Sequence, residues 1–256
     1  MIVKTEAIVL KKLNFGDTSR IITLLAKDYG RLSVLAKGAR DPRSKFGPVL
    51  DTFNHLQVVV YKKEGRDLHL LSQCDLLSRF SGLTKNLEHL GCAMGVLDLV
   101  SATSHYDEES GALFATLLET LTAIDTAGDT LGAPLYFQTR LLCLLGFQPD
   151  LSCCVACKSP VNLLDSGTKN QVFRLTGDGI LCHRCKLTGM FLMEIRSETL
   201  SLLRAYQHML SGWRIVDGAS AETLLETKVV LSHLLRNHVE GARKLKSGSV
   251  LASIME

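Results

Sequence analysis

Two Cys-x-x-Cys pairs, Cys154 with Cys157 and Cys182 with Cys185, hold the side chains best suited to chemistry in this chain of 256 residues. Each such turn presents two thiolates to one ion, and two turns together complete a tetrahedral zinc site. Between Cys157 and Cys182 lie 24 residues, slightly more than the usual ribbon spacing. Val161 to Asp165 and Gln171 to Leu175 read as short strands around a turn at Ser166-Gly167-Thr168. Gly177-Asp178-Gly179 then leads into the second pair. A full set of four thiolates leaves no position for water, so the expected ion is structural rather than catalytic. Cys153 is the reserve ligand, since only Cys154 keeps the two-residue spacing to Cys157. The alternatives are four unrelated buried thiols or a disulfide framework. His183 reads as a solvated turn residue rather than a ligand.

Catalytic constellations are otherwise scarce. His105-Tyr106-Asp107-Glu108-Glu109 gathers acids and a base, but it falls between two helical segments. It reads as a loop followed by acids that suit a helix N-terminus. Gly177-Asp178-Gly179 lacks the strand-to-helix setting of a nucleotide loop. No nucleophile stands beside a paired base, so the chain is not expected to be an enzyme.

The elements that must position these residues fall into two kinds. From Lys4 to Leu77 the periodicity is that of strands. Thr5, Ala7 and Val9 alternate with Glu6, Ile8 and Leu10, and a β-rich run follows from Thr18 to Leu25. Tyr29-Gly30 reads as a turn. Leu32, Val34 and Ala36 then share one face, His55 to Tyr61 is rich in valine, and Asp67 to Leu77 is a fifth extended run. Glu64-Gly65-Arg66 is a hairpin loop between the last two. Five strands with a helix-length gap near Ser44 to Leu50 suit a small closed barrel.

Between the third and fourth strands lies an unusual loop, residues 36 to 47. It carries Lys37, Arg40, Arg43 and Lys45, with Gly38, Pro42 and Gly47 shaping the backbone. Such a loop could offer its charges to a phosphate backbone, with Phe46 stacking on a base. The alternative is a solvated loop whose Phe46 anchors it to the core. Lys11, Lys12, Arg20, Arg31, Lys62, Lys63 and Arg66 fall at strand ends or loops and extend the patch.

Charge supports that division. The net charge is +3, yet residues 1–80 carry 14 basic and 8 acidic side chains, against 15 and 18 in the remainder. A basic N-terminal unit suits a polyanionic partner. No apolar run reaches the ~18 residues of a membrane span, and the N-terminus lacks the plan of a signal peptide. Cys74, Cys92 and Cys143 are isolated in apolar segments and read as core residues. Reduced thiols of this kind point to a cytoplasmic setting.

After Ser81-Gly82 the pattern becomes helical. Leu87, Leu90, Met94 and Leu97 mark one stripe; Leu113, Leu117, Leu121 and Ile124 mark another. Pro134 to Leu145 opens with proline in its first turn and stops at Gly146. Glu198 to Leu210 and Ala221 to Val239 follow. These stripes are expected to pack as one bundle, with the metal segment inserted between the third and fourth helices. The tail beyond Gly241 reads as frayed, and Trp213 reads as a core or helix-end residue.

This order of parts resembles the RecO family of bacterial recombination mediators. The matching residues are Glu6-Ala7-Ile8-Val9-Leu10, Gly16-Asp17-Thr18-Ser19-Arg20, Lys37-Gly38-Ala39-Arg40 with Ser44-Lys45, the late barrel strands and the paired Cys-x-x-Cys motifs. The resemblance spans nearly the whole chain. It implies a multidomain protein: an oligonucleotide-binding (OB) fold barrel at 1–80, then an α-helical domain at 81–256 with a four-cysteine, zinc-ribbon-like insertion at about 150–190. It implies a non-enzymatic protein that binds single- and double-stranded DNA and anneals complementary strands. With RecR, such a protein helps RecA displace the single-stranded DNA-binding protein SSB, whose acidic tail docks on the helical domain. It would be cytoplasmic, and nucleoid-associated when acting. The DNA role carries onto Lys37, Arg40, Arg43 and Lys45, and the zinc role onto Cys154, Cys157, Cys182 and Cys185. Arg140 beside Leu135, Leu141 and Leu142 is the expected place for the tail, a basic side chain next to an apolar groove.

Two positions depart from the family's pattern. Asp41 interrupts the basic loop, and Lys158 follows Cys157 where many zinc knuckles have glycine. Two readings from other classes stand beside the mediator. One is a scaffold that mainly recruits proteins, with weak DNA affinity of its own. The other is a zinc hydrolase, which needs an open metal position.

Overall fold

β1 (Ile2–Phe15) is long enough to pair with two partners, and it does so by bending. Its first half pairs antiparallel with β4 (His55–Tyr61), from Ile2 opposite Tyr61 to Ile8 opposite His55. Its second half pairs with β2 (Ser19–Ala26). The register slips between Val9 and Lys11. A bulge of this kind bends the strand and raises its twist, which lets one strand close a barrel. β3 (Gly30–Ala36) pairs antiparallel with β2 and parallel with β5 (Leu68–Ser78), and β5 returns to β4. The computed structural model thus has a closed barrel in the order β1-β2-β3-β5-β4, the OB architecture. It describes residues 1–104, 110–161, 172–182, 184–185, 193–209, 212–216 and 218–239.

The period-2 pattern fills the interior. Val3, Ala7 and Val9 of β1 meet Ile22 and Leu24 of β2, Leu32, Val34 and Ala36 of β3, and Val58 and Val60 of β4. Each fully buried aliphatic side chain of this kind contributes roughly 1.5–3 kcal/mol of transfer free energy. The five expected strands are all present. The helix-length gap near Ser44 to Leu50 holds no helix: residues 37–54 form a chain of turns. Phe46 and Leu50 reach into the barrel core from those turns, so apolar plugging is achieved without a helix.

The chain divides into two compact units, the first comprising Met1–Gly128 and the second beginning at Asp129. In the first unit, α1 (Leu87–Thr103) and α2 (Gly111–Ala127) accompany the barrel. Phe114 of α2 meets the His55 ring edge-on, with centroids 5.6 Å apart. Ser110 donates to the Ala26 carbonyl, and Arg31 donates to the Ser101 carbonyl near the end of α1 at 2.7 Å. The packing unit therefore extends well past residue 80, where the change in periodicity suggested a boundary. A short 3-10 turn, Ser81–Thr84, joins barrel to helices. Its Gly82 and Leu83 amides donate to the Asp125 carboxylate at 2.5 and 3.1 Å.

The buried face of α1 is Cys92, Ala93, Val96, Leu97 and Val100. Of the expected stripe, Leu97 lies on this face and Leu90 is half-buried, while Leu87 and Met94 are exposed. α1 is apolar over most of its surface, so spacing alone did not select its inner face. The stripe on α2 is as expected, with Leu117, Leu121 and Ile124 buried. Gly128, at φ 65°, ends α2 in the left-handed region, where glycine avoids the Cβ clash.

The second unit starts with a capping residue. The Asp129 carboxylate accepts the amides of Leu131, Gly132 and Ala133 ahead of and within α3 (Gly132–Leu144). α3 packs with α4 (Ser197–His208) and α5 (Ala221–His238). Among the described residues, the five helices are thus shared between two units rather than gathered in one bundle. Between α3 and α4 lies a small sheet, β6 (Val172–Leu175), β7 (Ile180–Leu181) and β8 (Met193–Arg196), in the order β7-β6-β8. β8 has no counterpart among the expected strands; four residues leading directly into a helix give little alternation to read. The expected strand over 161–165 beyond Val161, the turn at 166–168, His183, His105 to Glu109 and the C-terminal tail lie outside the described residues.

Candidate metal centre and nucleic-acid interface

The two Cys-x-x-Cys turns converge. The sulfurs of Cys154, Cys157, Cys182 and Cys185 all lie within 4.8 Å of one another. Those of Cys157 and Cys182 are 3.8 Å apart. A tetrahedron with metal–sulfur bonds of ~2.3 Å has an edge of about 3.8 Å, and a disulfide needs only ~2.05 Å. All eight cysteines are free thiols. The geometry fits a four-coordinate ion and no disulfide framework. Cys153 stands outside this group, its backbone bridged to Pro160.

Backbone amides build each turn. The Lys158 amide donates to the Cys154 carbonyl at 2.8 Å, and the Cys154 amide to the Ser159 carbonyl at 2.9 Å. In the second turn, the Cys185 amide donates to the Cys182 carbonyl at 3.2 Å. The two turns are stitched by the Val155 amide to the Ile180 carbonyl, and by the Cys182 amide to Cys154 Sγ at 3.4 Å. Gly179 makes this approach possible. It sits at φ 147°, and a Cβ there would collide with the Asp150 backbone. That is the physical role of the glycine ahead of the second pair.

The thiols are tuned unequally. Burial pushes the Cys154 thiol up, but the amides of Cys182, Cys157 and Ala156 outweigh it together, and the net shift is downward. The Ser159 hydroxyl, 3.3 Å from Cys157 Sγ, holds that thiol below its ordinary range. Hydrogen bonds to Cys157 and Cys182 push Cys185 upward. Donors aimed at sulfur favour thiolate, the form that binds metal.

Two arginines that spacing did not single out brace the centre. Arg174 Nη2 donates to the carbonyls of both Cys182 and Cys185 at 2.9 Å. The Arg204 guanidinium donates to the carbonyls of Leu151, at 2.9 Å from Nε, and Val161, at 2.7 Å, on either side of the first pair. Arg174 between buried Phe173 and Leu175 was the available signal: a charge in so short an apolar strand needs a partner.

In the barrel unit, Lys37, Arg40, Arg43 and Lys45 are all exposed on the loop after β3. The loop is braced rather than free. The Arg40 amide donates to the Thr18 carbonyl at 2.8 Å, and its guanidinium to the Gly16 carbonyl at 3.2 Å. The loop is thereby held against the β1–β2 turn. Asp41 is part of the framework, its carboxylate accepting the Arg43 amide at 2.8 Å and its carbonyl the Ser44 amide, an Asx turn. Phe46 is the anchor, buried in the barrel core, and is not available to stack on a base.

The remaining basic residues separate. Lys11 is exposed on β1 and Arg20 half-buried on β2. Lys12 pairs with Asp51 at 2.6 Å in an exposed ion pair. Lys62 Nζ lies over the Tyr29 ring, 5.3 Å from its centroid, and Lys63 is exposed beside it. Tyr29 precedes β3 and Lys37 follows it, so these two groups stand at opposite ends of a strand roughly 20 Å long. Arg31 is engaged with Ser101 and is withdrawn from the patch.

Among the described residues, the leucines expected to line a groove at Arg140 are buried. Leu135, Leu141 and Leu142 are only 2, 1 and 1% exposed. They are core residues of a helix buried on most of its circumference, so they cannot line a surface groove. Arg140 itself is half-buried.

Comparison with known proteins covers nearly the whole chain, with its boundary at the change from strands to helices rather than between the two packing units. The family profile described as Recombination protein O N terminal matches residues 1–80, and that described as Recombination protein O C terminal matches residues 84–247. This chain belongs to the RecO family. The DNA repair protein RecO of Syntrophus aciditrophicus is 31% identical over 254 residues, covering 98% of this chain and 95% of the relative. The RecO of Chlorobium limicola is 28% identical over 265 residues, covering 100% and 99%. The RecO of Chloroherpeton thalassium is 37% identical over 156 residues, 60% of each chain. Among the described residues, no helix is long and apolar enough to cross a membrane.

Proposed function

We propose that this RecO-family protein is a non-enzymatic recombination mediator, acting in the cytoplasm and at the nucleoid. It binds single- and double-stranded DNA, anneals complementary strands and, with RecR, helps load RecA onto strands coated by SSB. The observation that carries the DNA role is the exposed set Lys37, Arg40, Arg43 and Lys45 on a loop braced at Gly16 and Thr18. Held cations lower the repulsion between two phosphate backbones without the ordering entropy of a free loop. Complementary bases then pair on their own, and the protein makes and breaks no bond. The four-cysteine centre holds one zinc ion in a structural role. Its thiolates fill the coordination sphere, which disfavours a hydrolase. The SSB tail docks on the helical unit, at a site other than the buried Leu135–Leu141 face.

Binding to labelled single strands at several salt concentrations tests this reading. Each phosphate contact releases counterions, so affinity should fall steeply with salt. Replacing Lys37, Arg40, Arg43 and Lys45 by alanine should flatten the slope by up to about 0.7 for each phosphate no longer neutralised and slow annealing. An unchanged slope would remove the loop from the interface. Absent binding at low salt would leave a scaffold for protein partners.

A further inference from the structure

The four clustered sulfurs differ in their access to water. Cys154 is buried, Cys182 and Cys185 are half-buried, and Cys157 is exposed. The Cys154 sulfur is further engaged by the Cys182 amide at 3.4 Å. Exposed cations flank the outer side of the cluster in sequence: Lys158 follows Cys157, and Arg184 precedes Cys185. An exposed thiolate in an electropositive setting is the arrangement that reacts with oxidants. A resolving partner is close, since Cys182 Sγ lies 3.8 Å from Cys157 Sγ. Closing that gap to a disulfide of ~2.05 Å takes a shift of less than about 2 Å. The other thiols are poorer targets. Cys92 is buried. Burial, with Asp75 beside it, pushes the Cys74 thiol up to about 11, which keeps it protonated and inert at neutral pH. Cys143 and Cys153 stand outside the cluster.

We propose that Cys157 is an oxidation site for hydroperoxides, with Cys182 as its resolving thiol, and that the disulfide between them opens the metal centre. This rests on the zinc reading above. The Cys157 thiolate attacks one peroxide oxygen: an S–O bond forms, the O–O bond breaks, and the leaving hydroxide takes a proton and departs as water. The Cys182 thiolate then attacks the Cys157 sulfur: an S–S bond forms, the S–O bond breaks, and a second water leaves after protonation. Two electrons pass from sulfur to peroxide, so two thiolates, one hydrogen peroxide and two protons give one disulfide and two waters. Cys154 and Cys185 are left as a pair, one from each knuckle, too few to hold the ion. A dithiol reductant reverses the change. The effect is local to the second unit. Arg174 grips the carbonyls of Cys182 and Cys185, and Arg204 of α4 those of Leu151 and Val161. Both grips depend on the knuckles keeping their shape, so oxidation loosens the metal segment from α4. The basic loop lies in the first unit and contains no cysteine.

The test treats the full zinc-loaded chain with hydrogen peroxide and follows zinc release with a colorimetric chelator, free thiols by titration, and disulfides by peptide mass mapping. Zinc should leave as two thiols are lost, with Cys157 and Cys182 joined. Reductant and added zinc should restore both counts, while affinity for a labelled oligonucleotide stays unchanged. Cys157→His keeps a fourth zinc ligand and removes the exposed sulfur, and should slow release about tenfold. Cys185→His, which keeps Cys157 and Cys182, should release zinc at the wild-type rate. If the native chain binds zinc and peroxide leaves it in place, or the map shows another pairing, the oxidation site is wrong and the zinc reading stands. Equal release from zinc-loaded Cys157→His and the native chain would also overturn it, as would a loss that reductant fails to reverse. A chain that takes up no zinc before peroxide is added would overturn both.

Discussion

The Lys158 amide reaches the Cys154 carbonyl at 2.8 Å, and to do so Lys158 adopts φ 59°. The closing turn of the first knuckle thus demands the left-handed region, which costs a non-glycine residue roughly 1–2 kcal/mol. The sequence departs from glycine here, and the structure keeps the strained geometry. Lys158→Gly should therefore stabilise the metal-loaded protein by up to about 1 kcal/mol, the relief being partly offset by the freer unfolded chain. A higher urea midpoint at unchanged m-value is the expected readout. A lower midpoint would show that the lysine side chain contributes more than its backbone strain costs.

The four thiols set the pH dependence of metal binding. Cys154 and Cys157 are held below the ordinary thiol value of 9.0. A depressed group contributes stability above its unfolded value and loses it as pH falls through its folded value. Protons and metal compete for the same sulfurs, so the ion should be bound at neutral and alkaline pH and released on acidification. One equivalent of zinc is expected by elemental analysis. Chelation, or Cys154→Ser, should lower the thermal midpoint. A fully folded protein well below one equivalent at neutral pH would contradict the structural role.

Asp41 opposes the basic loop electrostatically while holding it together. Its carboxylate accepts the Arg43 amide, a bond that an asparagine oxygen can also accept. Asp41→Asn should keep the turn and remove the repulsion. DNA binding should tighten a few-fold at low salt, the gain fading at high salt as screening shortens the reach of the charge. Asp41→Ala, which loses the acceptor too, should gain less. Titrations of both variants on the same oligonucleotide make the comparison.

What the sequence reveals depends on how local each signal is. Strand alternation, the Cys-x-x-Cys spacing and the basic loop are properties of neighbouring residues, and all three are legible in the chain. The choice of Cys154 over Cys153 rests on spacing, and the sulfur cluster bears it out. The differences between sequence and structure share a cause. Leu87 and Met94 on α1, Leu135 and Leu141 on α3, and Phe46 in the loop are apolar residues whose exposure no local pattern decides.

The sequence by itself determined the five barrel strands, because period-2 alternation with a buried face admits one register. It determined the two cysteine knuckles as well, because ligand type and spacing suffice to bring two thiolates together in each turn. Only the tertiary structure decided that α1 and α2 belong with the barrel, that Phe46 is buried while Phe15 is exposed, and that Arg174 and Arg204 brace the cysteines. Each of these depends on residues distant in the chain competing for the same buried space, and the winner is set by packing rather than by any local preference.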